Sequence, residues 1–132
     1  MLRSDEEKRC DQSPAPGDEV LNRSALLYIV DGDMEFLESF AGDFLDDCNR
    51  LLSEITAAVE EADSGRLREA AHALKGAAGS ARANAAFEAA ARLEALAQTT
   101  NLAEAPKAVE HLKRELLRLQ EALTSFVVEL AN

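Results

Sequence analysis

From Leu37 onward the apolar residues of this chain recur at steps of three and four. The clearest run is Leu37, Phe40, Ala41, Phe44, Leu45, Cys48, Leu51, Leu52, Ile55, Val59 and Ala62. That spacing marks one buried face of an α-helix and is incompatible with the two-residue alternation of a strand. Ala (25) and Leu (19) dominate while Val and Ile together number 8, a bias that favours helix because β-branched side chains lose rotamer freedom there. At 132 residues there is room for one domain.

Turn chemistry cuts the periodic run into pieces. A polar segment, residues 1–18, carries Pro14, Pro16 and Gly17 and reads as a disordered leader or linker; residues 19–132 form the domain. A short helix spans about Asn22 to Val30, with Leu26, Leu27 and Val30 on one side, and Asp31-Gly32-Asp33 is a turn. Asp33 opens the long helix to about Ala62, and Asp63 or Ser64 can cap a third from about Gly65 to Ala81. Its inner face is Leu67, Ala70, Leu74, Ala77, Ala78 and Ala81. Asn84 is an N-cap candidate for a fourth helix, about Ala85 to Gln98, with Phe87, Ala90, Leu93, Leu96 and Ala97 inward. Pro106 suits the first turn of a last helix that runs to about Leu130 through Val109, Leu112, Leu116, Leu119, Leu123, Phe126 and Val127. The expected fold is all-α: an antiparallel four-helix bundle with a short additional N-terminal helix.

Global features remove several function classes. The net charge of −11 opposes binding to nucleic acid or to anionic membranes. No uncharged stretch approaches the roughly 20 residues of a membrane span, and the N-terminus lacks a signal-peptide core. Cys10 and Cys48 form no CxxC pair; Cys48 falls on an apolar stripe and reads as a small core residue. A cytoplasmic, reducing location fits.

One segment carries chemistry: Ala71-His72-Ala73-Leu74-Lys75-Gly76-Ala77-Ala78-Gly79-Ser80. On a helical wheel centred on His72, Gly79 lies at about −20°, Gly76 at +40°, Arg68 at −40°, Lys75 at −60° and Glu69 at +60°. Ala77, Ala70, Ala81 and Leu74 lie opposite, at about 140° to 200°. His72 therefore points away from the core, between two glycines and two cations. Glycine inside a helix costs about 1 kcal/mol relative to Ala. Glycines beside an exposed side chain remove bulk, so that another protein's active site can close over it. Packing glycines against a neighbouring helix are the alternative, and the wheel places both on the solvent side. At neutral pH much of an unperturbed imidazole is an unprotonated nucleophile. Lys75 and Arg68 are placed to offset the charge of a phosphoryl group on that ring.

His72-Ala73-Leu74-Lys75-Gly76 resembles the His-x-Leu-Lys-Gly motif of the histidine-containing phosphotransfer (HPt) domain family. Val30-Asp31-Gly32-Asp33-Met34-Glu35-Phe36-Leu37 and Arg92-Leu93-Glu94 are similar to the family as well, so the resemblance covers roughly residues 20–127. It implies a phosphorelay carrier, phosphorylated on His72 at the outer ring nitrogen, exchanging the group with Asp residues of receiver domains. It implies no catalytic metal in this chain, since the Mg²⁺ belongs to the receiver, and no ATP-binding kinase domain. The expected partners are response-regulator receivers and a hybrid sensor histidine kinase, with the carrier itself a monomer. Lys75, Arg68 and Arg82 would serve the electrostatics of the phosphoryl group and partner, and Gly76, Gly79 and Glu69 the docking face. Arg82-Ala83 replaces the Gly-Ala common in the family; if that turn needs a left-handed backbone, Arg is penalised there, and Asn84 could take the conformation instead.

Three other readings compete. A helical adaptor could bind a receiver or another partner without carrying phosphate; the presence of both His72 and Lys75 argues for the carrier. A di-metal carboxylate bundle would need inward Glu-x-x-His pairs, and only Glu69–His72 has that spacing, facing outward. His111, in Glu110-His111-Leu112-Lys113, lacks the following glycine and reads as a solvated helix residue. Charge divides along the chain in keeping with the carrier. Residues 31–63 hold eleven acids against Arg50 alone, whereas 64–82 hold Arg66, Arg68, Lys75 and Arg82 against Glu69. A basic strip on an acidic body is suited to orient an acidic partner pocket.

Overall fold

The computed structural model describes residues 20–31, 33–99 and 101–131, and these form five helices and no strand. They are α1 (Arg23–Val30), α2 (Met34–Glu60), α3 (Ser64–Ser80), α4 (Asn84–Ala97) and α5 (Ala105–Ala131). The proline-containing leader, Cys10 and Gly32 lie outside the described residues. Contacts link α2 to α3, α3 to α4, α4 to α5 and α5 back to α2, so four antiparallel helices close a bundle.

Side-chain caps start the first three helices. Asn22, Asp33 and Asp63 each accept a hydrogen bond from the backbone N–H three residues on, at Ala25, Phe36 and Arg66. For α4 the expectation changes: Asn84 is its first helical residue, Ala83 stands at the N-cap, and no side chain caps it.

Two helix ends share one turn. At the end of α2 the Ala62 N–H donates to the Val59 carbonyl and the Asp63 N–H to the Ala58 carbonyl. At the end of α3 Arg82 donates to Gly79 and Ala83 to Ala78. This is a Schellman closure, whose middle residue is left-handed and most often glycine. Here Ala62 (φ 55°) and Arg82 (φ 59°) occupy it. Arg82 itself, and not Asn84, therefore takes the left-handed conformation. Ala62, expected in the core, is exposed because the helix ends before it.

Helices α2 and α5, 27 residues each, are about 40 Å long; α3 and α4, with 17 and 14, are about 26 and 21 Å. The short α3–α4 hairpin leaves one end of the long pair uncovered, and α1 closes it. Val20, Leu21, Leu26 and Val30 are buried there. Arg23 bonds Glu129 at 2.8 Å and stands over the Phe126 ring, and the Asn22 N–H reaches the Arg82 carbonyl. Leu27, expected beside Leu26, is instead 39% exposed on the outer side of α1.

Leu37, Ile55, Leu67, Leu74, Leu93, Leu112, Leu119 and Leu123 are fully buried. Cys48 is buried among them, and burial pushes its thiol pKa up to about 12, so it is an inert core residue. The buried face of α4 differs from expectation. It is Ala86, Ala89, Ala90, Leu93 and Ala97, with Phe87 turned outward and Leu96 half-buried. On α3 Ala71 is buried and Ala77 only half-buried. At the far end of α5, Val127 is half-buried and Leu130 exposed.

Ala62→Gly relieves the left-handed strain at an exposed site and should raise the unfolding free energy by about 0.5–1 kcal/mol. The readout is a higher urea midpoint at unchanged m value; an unchanged or lower midpoint would show that the turn is not strained.

Candidate functional site

His72 sits in the middle of α3, its side chain 67% exposed. One turn on, Gly76 faces open space: a Cβ there would meet nothing within 4 Å. Gly79 is different. A Cβ on it would stand 3.3 and 3.4 Å from the Phe87 ring of α4. The clearance argument thus holds for Gly76, whereas Gly79 also makes a packing contact with the neighbouring helix.

Burial of Ala71 and Ala78 shows which flank of α3 meets α4. On a wheel both lie about 100–120° to the same side of His72 as Lys75. Across that seam α4 projects Glu94, whose side chain is 14% exposed. One carboxylate oxygen, Oε2, is 2.8 Å from His72 Nδ1, and the other, Oε1, is 2.7 Å from Lys75 Nζ. The hydrogen bond from Lys75, then that from His72, holds the Glu94 pKa below its ordinary value, against the opposing effect of burial.

An ionised carboxylate only accepts hydrogen bonds, so the short contact assigns the proton to Nδ1, which donates to Glu94. In the neutral ring the lone pair then resides on Nε2. Among the described residues Nε2 has no hydrogen-bond partner, and the ring is open to solvent.

The remaining expected site residues are spread along α3. Lys75 is 28% exposed, taken up by Glu94 and 6.0 Å from the Phe87 ring centroid. Arg68, one turn before His72, is exposed and forms no ion pair among the described residues. Glu69 lines a shallow groove between α2 and α3 with Arg50, Glu54 and Arg66, on the flank away from Glu94. Arg82 stands ten residues beyond His72, about 15 Å along the axis. Its guanidinium turns back to the Gly79 carbonyl at 3.4 Å, so it is not next to the ring. His111 is exposed on α5, in a cleft of about 450 Å³ between α4 and α5.

Glu94 and Phe87 are the site residues that sequence reasoning missed. Glu94 stood in Arg92-Leu93-Glu94 without a role, and Phe87 was assigned to the core. Among the described residues no group of three or more His, Cys, Asp or Glu is placed to hold a metal ion. Nor is any helix among them long and apolar enough to cross a membrane.

An imidazole with its inner nitrogen fixed and its outer nitrogen exposed, on the flank of a four-helix bundle, is the arrangement of a phosphoryl carrier. The Hpt domain model matches residues 39–122, which include His72, Lys75 and Glu94. The fold is similar to the crystal structure of histidine-containing phosphotransfer protein B (HptB) from Pseudomonas aeruginosa PAO1. That match has a TM-score of 0.73 and 22% identity, and covers 81% of this chain and 90% of that one. No curated protein sequence matches the chain significantly. The chain belongs to the Hpt domain family, the histidine phosphotransfer proteins of two-component phosphorelays. Members of the family are phosphocarriers and not kinases, and they interact with receiver domains and histidine kinases.

Because the Glu94 pKa is lowered, its contribution to stability is full above the ordinary carboxylate range and is lost only as pH falls through the depressed value. A carboxyl-carbon NMR titration should give a Glu94 midpoint below the ordinary 4.5, moving upward in Lys75→Ala. A wild-type midpoint at or above 4.5 would contradict the double hydrogen bond.

Proposed function

We propose that His72 is the residue phosphorylated, at Nε2, and that Glu94 is the residue that makes this nitrogen the nucleophile. The carrying observation is the 2.8 Å contact between His72 Nδ1 and Glu94. In the forward step the Nε2 lone pair forms the N–P bond. The P–O bond to the partner's aspartate breaks, and its electron pair returns to that carboxylate. No proton leaves the ring: the proton stays on Nδ1, hydrogen-bonded to Glu94, and the positive charge that develops on the imidazole faces an ionised carboxylate. Return transfer reverses each event.

Lys75 neutralises Glu94 in the unphosphorylated state and lies one turn from the incoming group. Arg68 supplies a second cation on the exposed face. The receiver provides the Mg²⁺ and the acidic pocket, and the carrier acts by presenting a correctly tautomeric imidazole on an unobstructed surface, in the cytoplasm. A docking adaptor that never carried phosphate would have no use for the fixed tautomer.

Incubation with a phosphorylated cognate receiver should label the chain with an acid-labile phosphate that is absent in His72→Gln. Nitrogen–phosphorus coupling in the labelled protein should place the group on Nε2; labelling that persists in His72→Gln would refute the assignment. Glu94→Gln should slow uptake on the order of ten- to a hundred-fold, with helical circular dichroism retained. An unchanged rate would remove Glu94 from the mechanism.

A further inference from the structure

Helix α4 meets Lys75 at two points. The ammonium is 2.7 Å from Glu94 Oε1 and 6.0 Å from the centroid of the Phe87 ring. Glu94 and Phe87 are seven residues apart on α4, about two turns, and so share one face of that helix. On α3, His72, Lys75 and Gly79 follow one another at steps of three and four. The two helices run antiparallel. Glu94 therefore stands level with the turn that carries His72 and Lys75, and Phe87 stands level with Gly79.

Glu94 by itself is a weak anchor for this cation. A lysine carries its charge on a flexible four-carbon stem and lacks the planar fork that fixes an arginine on a carboxylate. The Lys75 side chain is also 28% exposed, so water competes for the pair. Phe87 acts on both weaknesses. Its ring face offers the ammonium a second favourable contact on a side where solvent is excluded. Its bulk fills the space toward the end of α3 into which the stem would otherwise swing. The ring fits there because position 79 has no Cβ: one placed on Gly79 would stand 3.3 Å from it, tighter than ordinary contact. Burial alone rewards this placement poorly, since Phe87 stays 38% exposed.

Resting on the carrier reading above, we infer that Phe87 is a positioning residue: seated on Gly79, its ring holds the Lys75 ammonium on Glu94, one turn from the imidazole that takes the phosphoryl group. It acts through Lys75 and not on the imidazole. Two consequences follow for the reaction. The Glu94 charge stays compensated while its other oxygen keeps the Nδ1 proton of His72 in place. A cation is also kept ready beside the incoming group, so its side-chain entropy is lost before the transfer and not during it.

Two substitutions separate the ring face from mere bulk. Phe87→Leu still covers Gly79 with an apolar side chain but has no aromatic face, and Phe87→Tyr keeps the face. The side chain is partly exposed, so both variants should retain helical circular dichroism. In NMR spectra the Lys75 Hε resonances should carry a ring-current displacement in wild type and Phe87→Tyr, and lose it in Phe87→Leu. The Glu94 titration midpoint should rise in Phe87→Leu and stay in Phe87→Tyr. With the phosphorylated cognate receiver as donor, kcat should fall about two- to fivefold in Phe87→Leu at unchanged KM, the span of one cation–π contact. Phe87→Tyr should restore it. An unchanged kcat or Glu94 midpoint in Phe87→Leu, an equal loss in Phe87→Tyr, or a loss confined to KM would overturn the positioning role. Phosphoramidate, a small donor that needs no docking, checks the carrier reading separately. Its failure to label wild-type His72 would overturn that reading, and this inference with it.

Discussion

The close approach of α3 and α4 governs the site. Both helices present small side chains to their seam: Ala71 and Ala78 are fully buried on α3, as are Ala86 and Ala90 on α4. Alanine loses no rotamer entropy on burial and lets two backbones draw together. It also gains little from leaving water. The hydrophobic stabilisation comes mainly from elsewhere, from the leucines and Ile55 on α2, α5 and the inward ridges Leu67, Leu74 and Leu93. The two functions are spatially divided. Long helices with large side chains hold the bundle, and a short alanine-lined hairpin fixes the distance at which Glu94 reaches across to His72.

At that distance one carboxylate serves two donors. Glu94 is mostly shielded from water, a position that would ordinarily raise its pKa. Lys75 and His72 reverse the effect. Each partner is held from one side only, so the ring is oriented without being enclosed. The Phe87 ring completes the arrangement by resting on Gly79 and lying near the Lys75 ammonium. A larger residue at position 79 would displace that ring, so the glycine supports the site through α4 as well as by its lack of bulk.

The helix number, their limits to within about two residues, and the outward direction of His72 and Gly76 were legible in the sequence. Periodicity and turn residues report on local backbone, and these features are local. The phase of α4 was not legible. Its one large aromatic, Phe87, drew the predicted face toward itself, whereas the real seam is built of alanines whose burial leaves almost no hydrophobic signature. The same error hid the role of Glu94, because only the relative placement of two helices brings residue 94 to residue 72. The Arg82 turn was half legible: its left-handed backbone was foreseen as a need, and the residue that meets it was not. The Schellman hydrogen bonds select position 82 by its distance from the helix end, whatever residue stands there.

The proton held between His72 Nδ1 and Glu94 has a thermodynamic consequence for signalling. If phosphate arrives and leaves without proton release, the exchange equilibrium is free of a direct pH term from the carrier's ring wherever the unphosphorylated ring carries the Nδ1 proton alone. The carrier then imposes no direction of its own. Flux through it follows the phosphorylation ratio of the receivers on either side, and a surplus of unphosphorylated acceptor downstream drains the upstream pool. Such a component conducts information both ways. Reversal of a pathway when its sensor falls silent needs no separate device beyond the same imidazole.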